Sequence, residues 1–296
     1  MSILLTITNH RYIHSCMYLK VDDISFSYDG KRSVLKNVSF ALPKGETIAV
    51  VGAYGCGKST LLRLISGILN TNSNSLSSGK IDINSVSTDE YLKDGKLAFM
   101  FQEATLMPNL TVRQNIELPL QIKGVKNHEK VGRLIETVGL TEFSSYFPNQ
   151  LSGGMKTRVA LARSFATEPE LLLLDEPFSA LDIAWKSKLY IELEKLRELH
   201  KTTIVVVTHD VQEALLLSNQ VVIIGQLGQI QANYKITTEK SLYNRVHNVS
   251  EFLEEVYADY LLPIQKVIMT DGNWNKLTGR ADNQVEEKVA NGHFKI

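Results

Sequence analysis

Two apolar periods alternate along the chain, one of two residues and one near 3.6, and their order predicts an α/β fold. Residues 18–21 and 24–28 alternate apolar and polar positions as half-buried strands do, with Asp29-Gly30 as the turn that follows. Residues 34–40 repeat that pattern, and Pro43-Lys44-Gly45-Glu46 turns the chain again. Residues 47–51 form an unbroken run rich in β-branched residues, the mark of a buried strand. Residues 61–65 then take up helical spacing. A surface loop rich in Ser and Asn is expected over 70–78, punctuated by Gly79, with strands at 80–83 and 97–101 beyond it.

From residue 103 to about 163 the pattern is helical. Thr111-x-x-Gln114 is a capping box opening a helix over 112–122, and a second helix over 129–138 is closed by Gly139. Ser152-Gly153-Gly154-Met155 follows Pro148, with Ser152 as a natural N-cap for a helix carrying Lys156, Arg158 and Arg163. Leu171-Leu172-Leu173-Leu174 predicts a central parallel strand, and it ends in Asp175-Glu176. Ser179-Ala180-Leu181-Asp182 is a turn before an amphipathic helix over 183–200. Residues 203–207 are a further buried strand, and 221–224 with 230–233 make a closing hairpin. Past about residue 240 the register changes: Phe252, Leu253, Val256, Tyr257, Tyr260 and Leu261 lie at helical spacing, ended by Pro263. That stripe is expected to pack on the preceding fold, with a partner or regulatory contact as the alternative. Residues 1–17 show no clear period and are expected to precede the fold, and residues 271–296 are polar and expected to be partly disordered.

A chain of 296 residues can bury a full core. Its 32 Lys+Arg balance 32 Asp+Glu, a formal charge of +0, which argues against nucleic acid as a principal partner. Two cysteines, Cys16 and Cys56, leave no room for a disulfide framework and fit a reducing cytosol. No apolar run approaches the ~18 residues needed to span a bilayer. Residues 1–7 lack the basic lead and small-residue cleavage site of a signal peptide. A membrane role is therefore expected only through a partner.

The candidate chemistry centres on Gly52-Ala53-Tyr54-Gly55-Cys56-Gly57-Lys58-Ser59-Thr60, a Gly-x-x-x-x-Gly-Lys-Ser turn between a strand and a helix. Glycines let consecutive N–H groups point at an anion, and the helix N-terminus adds partial positive charge. Lys58 is expected to reach the β- and γ-phosphates of a nucleoside triphosphate and the Ser59 hydroxyl to ligate Mg²⁺. Asp175, at a buried strand's end beside that loop, is placed to hold Mg²⁺, with Glu176 facing the attacking water. Gln102, at the carboxyl end of its strand, can reach the metal or a water. Ser152 with two glycines makes either a second anion-facing helix terminus or a capped surface helix. His209 is either a core or cap histidine or a catalytic one. Tyr28 precedes a turn and could lie flat against an adenine, though spacing favours a strand aromatic packed in the core.

Taken together, these residues resemble the nucleotide-binding cassette of ATP-binding cassette (ABC) transporters over about residues 18–234. Six motifs occur in order: the phosphate loop, Gln102, Leu151-Ser152-Gly153-Gly154-Met155, the Leu-rich strand with Asp175-Glu176, Ser179-Ala180-Leu181-Asp182, and His209. Within the family, residues 101–108, the signature ending in Met155 and residues 175–182 are similar to importers for nitrate, sulfonate, taurine and bicarbonate. The resemblance implies a P-loop ABC cassette with a mixed central sheet, an antiparallel β subdomain and a helical subdomain at about 103–163. It implies a nucleotide-binding domain over 18–240 and a C-terminal helical extension and tail over 241–296. It implies ATP and Mg²⁺ as cofactors and ATP hydrolysis coupled to import, with a soluble ABC ATPase or an exporter-type subunit as alternatives. Tyr28 then stacks on adenine, and Gln102 senses Mg²⁺ and contacts a membrane subunit. Ser152, Gly153 and Gly154 bind the γ-phosphate of ATP held by the opposite subunit, with Asp182 also at the nucleotide. Glu176 is the base and His209 contacts the γ-phosphate. The implied partners are a second cassette, identical or homologous, paired head to tail, an integral membrane permease and, indirectly, a substrate-binding protein. The implied location is the cytoplasmic face of the cell membrane, peripherally bound. Ala53 and Tyr54 depart from a usual Pro-Ser pair and Thr157 from a common Gln.

Overall fold

A computed structural model describes residues 17–69, 77–237, 244–245 and 248–270. The expectations for residues 1–16 and 271–296, and for most of the loop over 70–78, lie outside the described residues. Strands β1 (Met17–Ser27) and β2 (Ser33–Pro43) pair antiparallel. Asp29 closes the turn between them, its Oδ1 accepting the N–H groups of Lys31 and Arg32 at 2.9 and 3.1 Å. After β3 (Thr47–Gly52) and helix α1 (Lys58–Ile65), β4 (Ser77–Ile83) returns to the free edge of β1. This strand already pairs at Ser77, so the surface loop ends earlier than the Ser-rich composition suggests. With β5 (Val86–Ser87) a four-stranded antiparallel sheet is complete, in the order β2-β1-β4-β5.

Helix α2 (Thr88–Leu92) and β6 (Leu97–Met100) lead into a helical segment of α3 (Val112–Ile122), α4 (His128–Thr137) and α5 (Gly153–Phe165). The chain then alternates β7 (Leu171–Asp175), α6 (Ile183–His200), β8 (Thr203–Thr208), α7 (Val211–Leu217), β9 (Gln220–Ile224) and β10 (Ile230–Lys235). The second sheet runs β10-β9-β3-β8-β7-β6. Every pair from β9 to β6 is parallel, and β10 joins antiparallel at one edge. The central sheet is thus mixed.

The two-residue period of a strand divides this sheet between two cores. Ile48, Val50, Leu171, Leu173, Val205, Val207, Val222 and Ile224 face the antiparallel sheet and α1. Ala49, Val51, Leu172, Leu174, Ile204, Val206, Val221 and Ile223 face the helices. A strand covered on both faces must be apolar at every position, which accounts for four consecutive leucines in β7.

Capping sets the helical segment's boundaries. Thr111 Oγ1 accepts the Gln114 N–H at 3.3 Å, and Gln114 Oε1 accepts the Thr111 N–H at 2.9 Å, so the predicted capping box forms. Asn115, fully buried, ties down the loop before α3. Its Nδ2 donates to the carbonyls of Met107, Leu110 and Thr111 at 3.2, 2.9 and 3.0 Å, and its Oδ1 accepts the Met107 N–H at 2.8 Å. Truncation strands part-buried N–H and carbonyl groups of Met107 and Leu110 and opens a cavity where the buried side chain stood. Each stranded group costs ~1–3 kcal/mol when fully buried. Asn115→Ala is therefore expected to lower unfolding free energy by ~3 kcal/mol in a urea titration; a loss below ~1 kcal/mol would show that water or backbone shifts replace the side chain.

Pro263 does not end the C-terminal stripe. Helix α8 (Val249–Glu255) passes through one π turn (Tyr257–Leu261) into α9 (Leu262–Thr270), with Pro263 at its second position. The Leu261 N–H reaches back to the Val256 carbonyl at 3.0 Å, and the proline falls in a helical first turn, where no N–H is required of it. Phe252, Val256, Leu261, Ile264 and Ile268 are buried against the cassette core, whereas Tyr257 faces outward.

Candidate active site

Parallel strands bring their carboxyl ends to one edge, and the residues singled out in the sequence leave the sheet there. Gly52, ending β3, begins the loop. A Cβ on Gly52 would lie 2.3 Å from the Ile224 carbonyl oxygen, so β9 passes too close for a side chain. Gly57, at φ 103°, adopts a conformation closed to L-residues, and a Cβ there would meet Leu35 at 2.7 Å. No side chain caps α1, so its first N–H groups are left to an anion. Lys58 is buried and its Nζ donates to the carbonyls of Gly52 and Ala53, each at 2.8 Å. Phosphate oxygens would replace those two acceptors.

Ser59 Oγ donates to Asp175 Oδ1 at 3.0 Å, joining α1 to the end of β7. Burial pushes the Asp175 carboxyl above its ordinary range, and the Ser59 hydroxyl offsets part of that. A buried carboxylate beside a hydroxyl is a hard oxygen donor set of the kind Mg²⁺ takes, so these residues fit that ion.

Glu176 follows directly with φ 47°, a left-handed conformation rare outside glycine. Its N–H donates to the Val207 carbonyl at 2.9 Å, and its own carbonyl accepts the Ser179 hydroxyl at 3.1 Å. Those contacts over-determine the backbone and aim the side chain. Glu176 Oε2 accepts the Gln102 Nε2 at 3.3 Å and lies 3.4 Å from His209 Nδ1. The His209 hydrogen bond holds the Glu176 carboxyl below its ordinary value, and Glu176 in turn raises His209. Asp210, capping α7 through the N–H groups of Gln212 and Glu213 at 2.9 and 3.2 Å, fixes the end of the strand that carries His209.

Tyr28 is not packed in the core. It is 53% exposed, because β1 ends at Ser27 and the turn carries its ring to the surface. The ring stands edge-on to Phe26, and its hydroxyl lies 3.1 Å from Thr60 Oγ1, at the mouth of the phosphate loop. Cys56 is buried behind the loop, whereas Gly55 and Tyr54 sit at its outer tip, Tyr54 60% exposed.

The signature residues stand apart from this group. Ser152 caps α5, accepting the Met155 N–H at 3.3 Å, and Ser152 and Gly153 are exposed. Gly154 packs towards the turn at Ala180, which leads to Asp182, the N-cap of α6. Among the described residues, no hydrogen bond joins Ser152, Gly153, Gly154 or Asp182 to the phosphate loop. Nor do the cations of α5 all serve that terminus. Arg158 donates to the Val138 carbonyl at 2.8 Å, neutralising the α4 C-terminus, and stacks on Trp185 at 3.8 Å. Arg163 donates to the carbonyls of Ala104 and Thr105 at 3.1 and 3.0 Å. It thereby fastens the segment just after Gln102 to the signature helix, a link that helical spacing alone does not show.

A glycine-rich loop, a paired Ser–Asp and a His-held glutamate at the ends of parallel strands define a P-loop nucleotide-binding domain. Comparison with known proteins narrows the class. The ABC transporter family matches residues 35–179. Aliphatic sulfonates import ATP-binding protein SsuB of Bacillus cereus is 39% identical over 242 residues, covering 80% of this chain and 92% of that protein. Nitrate import ATP-binding protein NrtD of Synechocystis is 37% identical, covering 79% and 89%. Trimethylamine N-oxide transport system ATP-binding protein TmoW of Pelagibacter ubique is 37% identical, covering 91% and 80%. Among solved structures, a dimeric post-hydrolysis state of the ATP-binding cassette MJ0796 bound to ADP and Pi superposes with TM-score 0.67 at 31% identity. It covers 74% of this chain and 99% of that one. The chain belongs to the ABC transporter family of ATP-binding cassettes.

Proposed function

We propose that this chain is the ATP-hydrolysing subunit of an ABC importer, driving uptake of a small anion such as nitrate, a sulfonate, taurine or bicarbonate. The observation that carries it is the convergence of Lys58, Ser59, Asp175, Glu176, Gln102 and His209 at one edge of the sheet. Related proteins named as import ATP-binding subunits for sulfonates, nitrate and sulfate support the direction of transport.

In this reading ATP lies along the phosphate loop, with Lys58 and the first N–H groups of α1 on its phosphates and Tyr28 at the adenine. Backbone N–H groups from Gly52 to Thr60 line the triphosphate. Ser59 and Asp175, with Gln102, would hold Mg²⁺, which would supply positive charge to offset that of the triphosphate. Glu176 takes a proton from the water that attacks the γ-phosphorus, and ADP leaves. His209 steadies Glu176 and the departing phosphate. Ser152, Gly153, Gly154 and Asp182 meet the ATP of a second cassette, identical or homologous, arranged head to tail. Closure then depends on the γ-phosphate and is released by hydrolysis. The cassette spans residues 18–240 with its helical subdomain near 103–163, and residues 241–296 extend it. No helix among the described residues is long and apolar enough to cross a membrane. In this reading the cassette acts on a permease from the cytoplasmic face. A binding protein delivers substrate from the other side.

Co-purification and uptake test this. The protein is expected to hydrolyse ATP, to copurify with a multi-span membrane protein, and to be required for uptake of a labelled oxyanion or sulfonate. Copurification with ribosomes or DNA, and unimpaired uptake in cells lacking the chain, would overturn it.

A further inference from the structure

One aromatic side chain at this site has a place that phosphate binding does not explain. Backbone N–H groups of the loop suffice for a phosphate, and Tyr54 at its tip is 60% exposed. Exposure on that scale gives the ring little burial energy in the fold. Yet the ring is not turned to solvent at random. Its centroid lies 5.4 Å from that of His209, the planes tilted by 36°. Its hydroxyl stands 3.4 Å from His209 Nδ1, and Lys58 Nζ lies 5.7 Å from its centroid. The partners are 155 residues apart, so the loop and the end of β8 meet through this pair.

We propose that Tyr54 is a positioning residue for His209: its ring supports one face of the imidazole and its hydroxyl meets Nδ1 beside Glu176. Both Tyr54 Oη and Glu176 Oε2 lie 3.4 Å from that same nitrogen. Nε2 has no hydrogen-bond partner among the described residues and is the nitrogen left for the γ-phosphate. An imidazole held only by one long contact to Glu176 would rotate about its side-chain torsions. The aromatic support limits that freedom before nucleotide arrives, and preorganisation of this kind acts on turnover. Tyr54 also packs beside Lys58, so the residue that binds phosphate and the residue that meets it after binding share one support.

This inference rests on the proposed ATPase reading, and two measurements separate their failures. The first is a double-mutant cycle on steady-state ATPase. Tyr54→Ser is expected to lower kcat about tenfold with KM for ATP changed less than about twofold. Tyr54→Phe, which keeps the ring, should lose about threefold. In a His209→Ala background, Tyr54→Ser should add no further loss. Equal losses in both backgrounds would overturn the proposal. The second measurement reads the His209 ring nitrogens by NMR in nucleotide-free protein, at alkaline pH where the ring is neutral. One tautomer, protonated at Nδ1, is expected in the parent and a mixed population in Tyr54→Ser; unchanged shifts would overturn the proposal even if turnover fell. A parent protein without ATPase activity would instead remove the functional reading, leaving the NMR comparison to decide the role of Tyr54.

Discussion

Glu176→Gln is expected to reduce ATP turnover by ~10²–10⁴-fold, the range that base assistance contributes, with ATP affinity within about twofold of the parent. The amide preserves the size of the side chain and can still meet Gln102 and His209, but it cannot take a proton from water. Binding rests on Lys58 and the α1 terminus, which the substitution does not touch. The same variant tests the electrostatics. Glu176 raises His209 above its ordinary value near 6.5, and His209 lowers Glu176 below its ordinary value near 4.5. A raised imidazole stabilises the fold below its unfolded value and loses that contribution as pH rises through the folded one. A lowered carboxyl contributes above its unfolded value and loses it as pH falls through the folded one. The pair therefore contributes fully between the two unfolded values, from about pH 4.5 to 6.5. Its contribution fades as pH rises past 6.5 through the folded His209 value or falls below 4.5 through the folded Glu176 value. In Glu176→Gln the His209 titration, followed by NMR, should shift down towards 6.5. Near-parental turnover with a displaced His209 titration would keep the ion pair and reject the base.

Much of this site is legible in the sequence because its parts are local. A phosphate loop needs glycines at fixed offsets, a capping box needs Thr111 and Gln114 three apart, and a doubly covered strand needs 171–174 apolar throughout. Each pattern is a few residues long, so spacing carries the physics. What spacing does not carry is the far partner. Arg158 and Arg163 on α5 look like cations for an anion at its start, yet they satisfy carbonyls 20 and 58–59 residues away. Tyr28 alternates as a core residue would, but the strand ends one residue before it. Pro263 carries the usual mark of a helix end, and only the π turn before it shows how the helix goes on. Tyr54 and His209 have no common period at all; the crossing from β3 to β8 alone makes them neighbours.

The same separation of near and far partners makes the shared active site testable by complementation. Lys58→Ala removes the buried ammonium from the phosphate loop and is expected to abolish ATP binding in its own cassette. Gly153→Asp acts on the other half. A Cβ at Gly153 meets nothing within 4 Å, so the fold accepts the side chain, and an acid in the first turn of α5 suits the helix dipole. The carboxylate would nevertheless face the γ-phosphate of the opposite subunit and repel it. Each variant alone should retain about 1% of parental turnover or less, a loss of ~3 kcal/mol in transition-state stabilisation. In a mixed dimer the two lesions fall in one composite site and leave the second whole. Co-expression of differently tagged chains gives mixed dimers in about half of the pairs, so about a quarter of parental sites should return. If turnover of the mixture stays at the average of the two variants, each chain completes its own site and the head-to-tail arrangement is wrong.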